Sequence, residues 1–365
     1  MIEFVCINCG ERYPENAKEY RCKCGGLFDL APVKTDFDFH KQLSIKDMSL
    51  WRYEEALPYT GEAASEITMG EGLTPLVKVQ DGLLGKAEYF MPTLSFKDRG
   101  AVMLVLHARK MGFKSLAIDS SGNAATAVAA YSARAGIKCC VFVPESTSEK
   151  KLAQIKAHGA EINLIKGPRE ASGAAAREYV EKNDSFYASH IYNPLFYQGT
   201  KTYFYEVFEQ LGGRFPDGFI IPVGNGTLIL GAEKAFEELQ DAGVIDKWPR
   251  IIGVQASGCA PIYRAFKEGL DVVPQIESSG TEAEGIAIAA PARGEQILKV
   301  IRKSGGDMVA INDDETLKAR AMLAAKGIYV EITSAVNYAA YLRIMAENAE
   351  KLWVIPFCGA GIKSS

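Results

Sequence analysis

A lysine at the start of a helix is the side chain in this sequence best placed to act as a nucleophile. Lys97 follows the turn-forming segment Pro92–Phe96 and precedes an apolar run, Ala101–Leu106, that predicts the buried face of a helix. Asp98 suits the first turn of that helix, because the helix dipole favours negative charge there. The same dipole favours the neutral form of a nearby amine, which a lysine that forms a Schiff base requires. The alternative is a surface cluster of Lys97, Asp98 and Arg99 without a chemical role.

Four of the eight cysteines lie within the first 24 residues, in two close pairs. Two such pairs can bring four thiolates to one tetrahedral Zn²⁺ ion, and the neighbouring glycines allow the tight turns that the site needs. Two disulfides are the alternative, but disulfides are rare in cytoplasmic proteins. The pattern therefore predicts a structural zinc ribbon, with the ligands Cys6, Cys9, Cys22 and Cys24.

Three further stretches could bind a ligand where predicted strands end. Ser120–Ala124 has small hydroxyl residues and backbone amides that suit an anion, although the same residues are typical of an ordinary N-capping turn. Val223–Gly231 places a glycine-rich loop between a strand and a helix, which suits a phosphate. It lacks both nucleotide-binding glycine patterns, so it favours a monophosphate, with a plain strand–helix turn as the alternative. Cys358 follows a strand and precedes glycines, where a thiol is either packed or available to a ligand.

A scaffold of alternating strands and helices is needed to bring these loops together. Short apolar runs alternate with helical stretches, and this alternation predicts parallel sheets covered by helices. The predicted strands are at 116–119, 139–143, 162–165, 219–223, 251–255, 308–311 and 352–356, and the helices of the first half at 123–135, 148–158 and 170–182. We expect two parallel-sheet α/β domains with the active site between them. The predicted division is a zinc-ribbon-like segment at 1–30, a linker at 31–60, and a catalytic region at 61–365 that contains a smaller α/β domain at about 100–190.

Composition narrows the class of protein. The 365 residues are 48% hydrophobic and 24% charged, as in globular proteins, and exceed the size of one ordinary core. A net charge of −4 argues against a nucleic-acid partner. No apolar run approaches the roughly 20 residues that cross a bilayer, and the first residues do not resemble a signal peptide. We therefore expect a cytoplasmic protein without a membrane partner.

Taken in order, these stretches resemble the fold-type II pyridoxal-phosphate enzymes, the tryptophan synthase β family. More narrowly, they resemble the threonine synthase branch that begins with a zinc ribbon. The resemblance covers nearly the whole chain and is most specific in two blocks, Gly70–Leu76 and Ser95–Gly100. Further matching segments are Leu50–Tyr53, Ala130–Gly136, Lys151–Gln154, Asn193–Pro194 and Gly199–Thr202.

The resemblance implies a role for each site residue. Lys97 would bind pyridoxal 5'-phosphate as a Schiff base and later move protons at the α and β carbons of the substrate. Asn123 would hydrogen-bond the ring hydroxyl of the cofactor. The cofactor phosphate would lie on Gly224, Asn225, Gly226 and Thr227, and the substrate carboxylate on Ser121, Gly122 and Ala124.

Two more residues match family positions. Cys358 would face the pyridine nitrogen, and a neutral thiol there leaves that nitrogen unprotonated, which favours elimination at the β carbon. Glu331 matches a glutamate that supports the site in the resembling enzymes. The resemblance also implies a homodimer.

The chain departs from the threonine synthase pattern at positions that bear on the substrate. Leu94 stands where those enzymes usually have glycine, Ala124 where they have threonine, and Phe196 where they have arginine. A lysine that is often present is replaced near Thr147. Fewer cationic groups weaken the case for a phosphorylated substrate, because a phosphate dianion needs charge-assisted donors. The segment Ala283–Ala287 looks more like that of serine/threonine dehydratases.

Three hypotheses follow. The first is a threonine synthase that converts O-phosphohomoserine to threonine and phosphate by γ-elimination and β-addition of water. The second is another pyridoxal-phosphate enzyme that performs β-elimination or β-replacement, with serine, threonine, phosphoserine (as in cysteate synthase) or diaminopropionate as substrate. The third is a non-enzymatic family member with a binding or regulatory role, against which the intact Lys97, Asn123 and phosphate loop argue.

Overall fold

The computed structural model describes residues 2–32, 38, 41, 45–167, 169–345 and 350–364. Two compact units divide the chain. The first takes in most of the chain before Leu73 together with Lys97–Thr202, and the second takes in Leu73–Phe96 and the chain from Tyr203 onward. Residues 33–37, 39–40 and 42–44 of the predicted linker at 31–60 lie outside the described residues.

The first unit contains two sheets. Strands β1 (Glu3–Cys6), β2 (Arg12–Pro14) and β3 (Phe28–Leu30) form an antiparallel sheet in the order β2-β1-β3. A parallel sheet in the order β8-β7-β6-β9 contains β6 (Ser115–Ile118), β7 (Lys138–Pro144), β8 (Glu161–Ile165) and β9 (Phe186–Tyr187). The helices of this unit are α1 (Gly61–Ala64), α2 (Lys97–Lys110), α3 (Asn123–Ala135), α4 (Glu149–Ala157), α5 (Arg169–Asn183) and α6 (Leu195–Thr200), with a 3₁₀ helix at Leu50–Ala56.

Helices α2 and α3 form the centre of the first unit. Every residue of Asp98–Ala108 is buried in α2, because this stretch is apolar or small on nearly every face. Helix α3 is rich in alanine, which favours a helix, and ends at Gly136, whose φ of 65° is the left-handed conformation that terminates helices. The two helices pack against each other. Their first residues, Lys97 and Asn123, are both residues that we singled out from the sequence.

The second unit is built on one six-stranded sheet. Its order is β12-β11-β10-β13-β5-β4, and all neighbours are parallel except β4 and β5. The strands are β4 (Leu76–Gln80), β5 (Leu83–Lys86), β10 (Gly218–Pro222), β11 (Arg250–Ala256), β12 (Asp307–Ile311) and β13 (Trp353–Pro356). The helices are α7 (Thr202–Gln210), which begins at the unit boundary, α8 (Thr227–Asp241), α9 (Pro261–Lys267), α10 (Gly294–Lys303), α11 (Asp313–Ala325) and α12 (Ile332–Ile344), with 3₁₀ helices at Glu88–Phe90, Glu284–Ile286 and Gly361–Ser364.

The predicted fold class, parallel-sheet α/β, is confirmed, and the predicted strands and helices agree with the structure to within one or two residues. The hairpin of β4 and β5 was missing from the prediction. Its strands are short, and each contains a lysine, Lys78 or Lys86, so neither forms a continuous apolar run. Among the described residues, no helix combines the length and the apolar character that a membrane span requires.

Candidate active site

Lys97 is the first residue of α2 and is half-buried. The next two side chains, Asp98 and Arg99, are fully buried, so they are not part of a solvated surface cluster. Arg99 donates a hydrogen bond to Thr202 Oγ1 at 2.8 Å. A buried first turn with a single half-buried lysine contradicts the alternative of a surface Lys-Asp-Arg cluster.

Helix α6 lies directly against the first turn of α2. A Cβ on Gly100 would lie 2.5 Å from the Phe196 ring, and a Cβ on Gly199 would lie 1.8 Å from the carbonyl oxygen of Arg99. Only glycine therefore permits this approach of the two helices. The ring of Phe196 is fully buried, and its centroid is 5.5 Å from Lys97 Nζ, within cation–π range.

The predicted carboxylate-binding residues, Ser121, Gly122 and Ala124, lie at the start of α3 and just before it. Gly122 precedes α3 in an extended conformation, and no side chain caps the helix. Gly122 is itself the N-cap residue, and its amide donates a hydrogen bond of 3.3 Å to the Ser120 hydroxyl. Ser121 and Asn123 are half-buried, Gly122 is exposed and Ala124 is buried. Uncapped backbone amides at the start of a 13-residue helix suit an anionic group.

The predicted phosphate loop, residues 224–227, joins β10 to α8. Gly226 has a φ of 73°, and a Cβ there would lie 2.3 Å from Ile297. A Cβ on Gly224 would lie 3.0 Å from the carbonyl oxygen of Gly285. The 15-residue helix α8 has no side-chain cap and no acidic residue in its first turn. Asn225 is half-buried and Thr227 is buried, so this loop offers amides and one hydroxyl at the positive end of a helix dipole.

Cys358 follows β13, the strand that neighbours β10 in the sheet. The carboxyl ends of parallel neighbours lie at one edge, so the sheet brings Cys358 and the 224–227 loop to the same edge of the second unit. The Cys358 side chain is buried. Its carbonyl accepts a hydrogen bond from the Phe96 amide at 2.9 Å, and Ser95 pairs with Gly359 in an antiparallel bridge. The segment that leads into Lys97 is thus joined to the Cys358 segment by backbone hydrogen bonds.

Sequence reasoning assigned no role to two buried polar groups, Ser95 and Glu71. The Ser95 hydroxyl is fully buried and has no hydrogen-bond partner within the described part of the chain. The Glu71 carboxylate, also fully buried, accepts hydrogen bonds from Trp51 Nε1, Thr68 Oγ1, Tyr131 Oη (each 2.9 Å) and the Met69 amide (2.8 Å). Since Tyr131 belongs to α3, this carboxylate ties the loop around Glu71 to that helix. The signal was the glycine on each side of Glu71, at φ of 80° and 113°.

The predicted zinc ligands come together at one end of the first unit. The four sulfurs of Cys6, Cys9, Cys22 and Cys24 all lie within 4.8 Å of one another, and all four thiols are free rather than disulfide-bonded. Tetrahedral zinc thiolates place sulfurs about 3.8 Å apart, given a Zn–S bond of about 2.3 Å. Tyr13 donates a hydrogen bond to Cys22 Sγ and lowers the pKa of that thiol. The donor set and its spacing fit a four-coordinate metal ion.

Comparison with known proteins identifies the family. Residues 67–359 match the sequence model of the family described as "Pyridoxal-phosphate dependent enzyme". The chain belongs to this family, and it is a pyridoxal-phosphate-dependent lyase of the threonine-synthase-like type. The expectations of the family and of the cofactor are thereby confirmed.

Individual relatives agree with this assignment. The chain is 35% identical to the threonine synthase of Methanocaldococcus jannaschii and 34% identical to that of Methanosarcina acetivorans, in each case over 94% of this chain and 87% of the relative. Among solved structures, it is similar to a T.th. threonine deaminase, with a TM-score of 0.70 and 27% identity over 82% of this chain and 96% of that chain.

The residues present fit pyridoxal phosphate. The cofactor needs a lysine, a cradle for its phosphate and polar contacts for its ring. The start of α8, which no side chain caps and where a Cβ on the glycines would collide with neighbouring residues, would supply the cradle. Lys97 would supply the amine, and the Asn123 amide and the Cys358 thiol are polar side chains that follow strands.

Proposed function

We propose that this enzyme converts O-phosphohomoserine to threonine and phosphate by γ-elimination and β-addition of water. The observation that carries the proposal is the 34–35% identity to two threonine synthases over 94% of the chain. Pyridoxal phosphate, when bound, supplies an electron sink for negative charge that develops at the α carbon of the substrate. The γ-elimination also requires a small amino acid with a leaving group at its γ carbon, which in O-phosphohomoserine is the phosphate.

The proposal assigns a role to each predicted site residue. Lys97 holds the cofactor and moves protons at the α and β carbons of the substrate. Asn123 would donate a hydrogen bond to the ring hydroxyl of the cofactor, and Cys358 would be the neutral thiol next to its pyridine nitrogen. The amides of Gly224–Thr227 bind the cofactor phosphate, and the amides of Ser121–Ala124 bind the substrate carboxylate.

One observation favours a second function, β-elimination or β-replacement on serine, threonine, phosphoserine or diaminopropionate. Phe196, in the place where the resembling enzymes have an arginine, is fully buried and faces Lys97 with an apolar ring. An apolar ring cannot donate the charge-assisted hydrogen bonds that a phosphate dianion needs. A substrate without a phosphate would therefore suit the apolar surroundings that Phe196 gives Lys97 better.

A substrate panel separates the two functions. The holoenzyme is titrated with O-phosphohomoserine, serine, threonine, phosphoserine and diaminopropionate, while cofactor absorbance is followed and threonine, phosphate and 2-oxo acid are assayed. Threonine and phosphate formed in equal amounts from O-phosphohomoserine would support the threonine synthase. A spectral response and a 2-oxo acid from one of the other amino acids, without any reaction of O-phosphohomoserine, would replace it with the second function.

We also propose that the four cysteines hold one structural zinc ion per chain, that the enzyme acts as a homodimer and that it resides in the cytoplasm. The free thiols at tetrahedral spacing support the metal and a reducing location. Metal analysis should give about one zinc per chain, and Cys22→Ser should release it. A fully folded, metal-free protein with four titratable thiols at the ribbon would contradict the zinc proposal.

A further inference from the structure

The cysteine-rich segment contacts the same helix that packs on the cofactor lysine. Strand β3 pairs with β1 so that Phe28 lies opposite Cys6 and Asp29 lies opposite Val5. Asp29 Oδ1 accepts a hydrogen bond of 3.1 Å from the hydroxyl of Tyr197. Tyr197 belongs to α6 and is only 1% exposed. One hydrogen bond therefore joins the sheet that carries a predicted zinc ligand to α6.

Helix α6 can hold the Phe196 ring near Lys97 because it packs closely against the first turn of α2. All six of its residues are buried. The close approaches at Gly100 and Gly199 fix its distance from the first turn of α2. Its rotation is not fixed by those glycines, and a rotation would carry the Phe196 ring away from Lys97 Nζ. The neighbouring residue, Tyr197, is hydrogen-bonded to Asp29, and this hydrogen bond restrains the rotation of α6.

We propose that Asp29 and Tyr197 are positioning residues through which the cysteine-rich sheet holds Phe196 against Lys97. The inference rests on the proposed function, since it takes Lys97 as the cofactor lysine. The ribbon would then act on the chemistry as well as on the stability of the first unit. Neither residue touches the cofactor or the substrate in this proposal; both act through Phe196.

Substitution of the two bonded residues tests the proposal in the full-length protein. Tyr197→Phe and Asp29→Ala should each weaken pyridoxal-phosphate binding about fivefold, the equivalent of one ordinary hydrogen bond. They should also shift the absorbance maximum of the bound cofactor. The double variant should bind no more weakly than Asp29→Ala, because Asp29→Ala already removes the Tyr197 bond, together with the bond that Asp29 Oδ1 accepts from the Leu30 amide at 2.7 Å. Asp29→Asn retains an acceptor oxygen and should restore both readouts.

Tyr59→Phe is the matched control. Tyr59 is also a buried tyrosine whose hydroxyl bonds a carboxylate of the N-terminal segment, Glu15 at 3.2 Å, but it contacts α2 near its end, at His107, rather than α6. Its variant should leave the cofactor dissociation constant and spectrum unchanged, even where its melting temperature falls as far as that of Tyr197→Phe. An equal loss of cofactor affinity in Tyr59→Phe would reduce the effect to general destabilisation and overturn the proposal.

Lys97→Ala, measured in the same series, separates this inference from the proposed function. If Lys97→Ala loses the visible cofactor band while Tyr197→Phe and Asp29→Ala behave as the wild type, the positioning role is wrong and the proposed function stands. If Lys97→Ala keeps the band, both are wrong.

Discussion

Leu94 holds a backbone conformation that few residues other than glycine adopt. Its φ is 64°, its amide donates to Met91 at 2.8 Å and its carbonyl accepts from Ala360 at 3.1 Å. Glycine is usual at this position in the resembling enzymes, and the structure supplies the reason. A side chain in the left-handed region costs about 1–2 kcal/mol.

Leu94→Gly should therefore raise the free energy of unfolding, by about 0.5–1 kcal/mol after the greater flexibility of the unfolded glycine chain is included. Leu94 is 37% exposed, so the apolar contacts that its side chain loses offset part of this gain. Urea unfolding of the apoprotein measures the change, with Leu83→Gly, a fully buried residue of β5, as a destabilised control. A clear loss of stability in Leu94→Gly would show that the side chain makes contacts worth more than the strain.

Gly100 is a second position where the backbone leaves no room for a side chain. Gly100→Ala would place a methyl group 2.5 Å from the Phe196 ring, and the ring cannot give way because it is fully buried. We expect a displaced first turn of α2 and a clear loss of cofactor affinity. Adding Phe196→Leu to Gly100→Ala should recover part of that affinity by making room. Cofactor titration of the three variants tests this, and unchanged affinity in Gly100→Ala would contradict the close packing of α2 and α6.

At the scale of elements, His107 ties the last part of α2 to the cysteine-rich sheet. Its Nδ1 is 2.6 Å from the Tyr59 hydroxyl, and its ring contacts Phe4 and Phe186. Burial, with a smaller contribution from the charge of Lys110, lowers the pKa of His107 from 6.5 to about 4. The folded chain thus holds a neutral imidazole, and Tyr59, Glu15 and Lys110 are titratable groups around it.

Protonation of His107 should favour unfolding. Its contribution to stability is complete above about pH 6.5 and falls by at most about 1.4 kcal/mol per pH unit as the pH drops toward 4. His107→Asn should remove this part of the pH dependence while lowering stability at neutral pH. Urea unfolding of both proteins, at a pH above 6.5 and at one between 6.5 and 4, measures the difference. An equal loss on acidification in the two proteins would show that His107 is not the group responsible.

The sequence pattern was sufficient to predict elements that have long apolar runs or capping signals. It was insufficient where contacts between distant parts of the chain determine the structure. The helix from Lys97 and the strand–loop–helix around Gly224–Thr227 follow from apolar periodicity and glycine placement. The hairpin of β4 and β5 does not, because its strands are short and each contains a lysine. The hydrogen bond between Asp29 and Tyr197 joins residues 168 apart in the chain, and no local rule anticipates such a contact.

At the scale of the whole molecule, each unit carries its own set of the predicted site residues. The first holds Lys97 and the start of α3, and the second holds the 224–227 loop and Cys358. The family and the cofactor follow from the comparisons, whereas the role of each residue is a proposal. The cysteine-rich sheet belongs to the same compact unit as Lys97, so the predicted zinc site and the predicted cofactor lysine lie in one unit.

The role of Lys97 as the cofactor lysine is tested most directly by reducing the purified holoenzyme with borohydride and mapping the pyridoxyl group by peptide mass spectrometry. We expect one modified residue, Lys97, and no modification in Lys97→Ala. Lys86, a lysine paired with Glu206 and fully buried, is an internal control that should stay unmodified. A pyridoxyl group on any other lysine, with Lys97 unmodified, would contradict the assignment on which the proposed function depends.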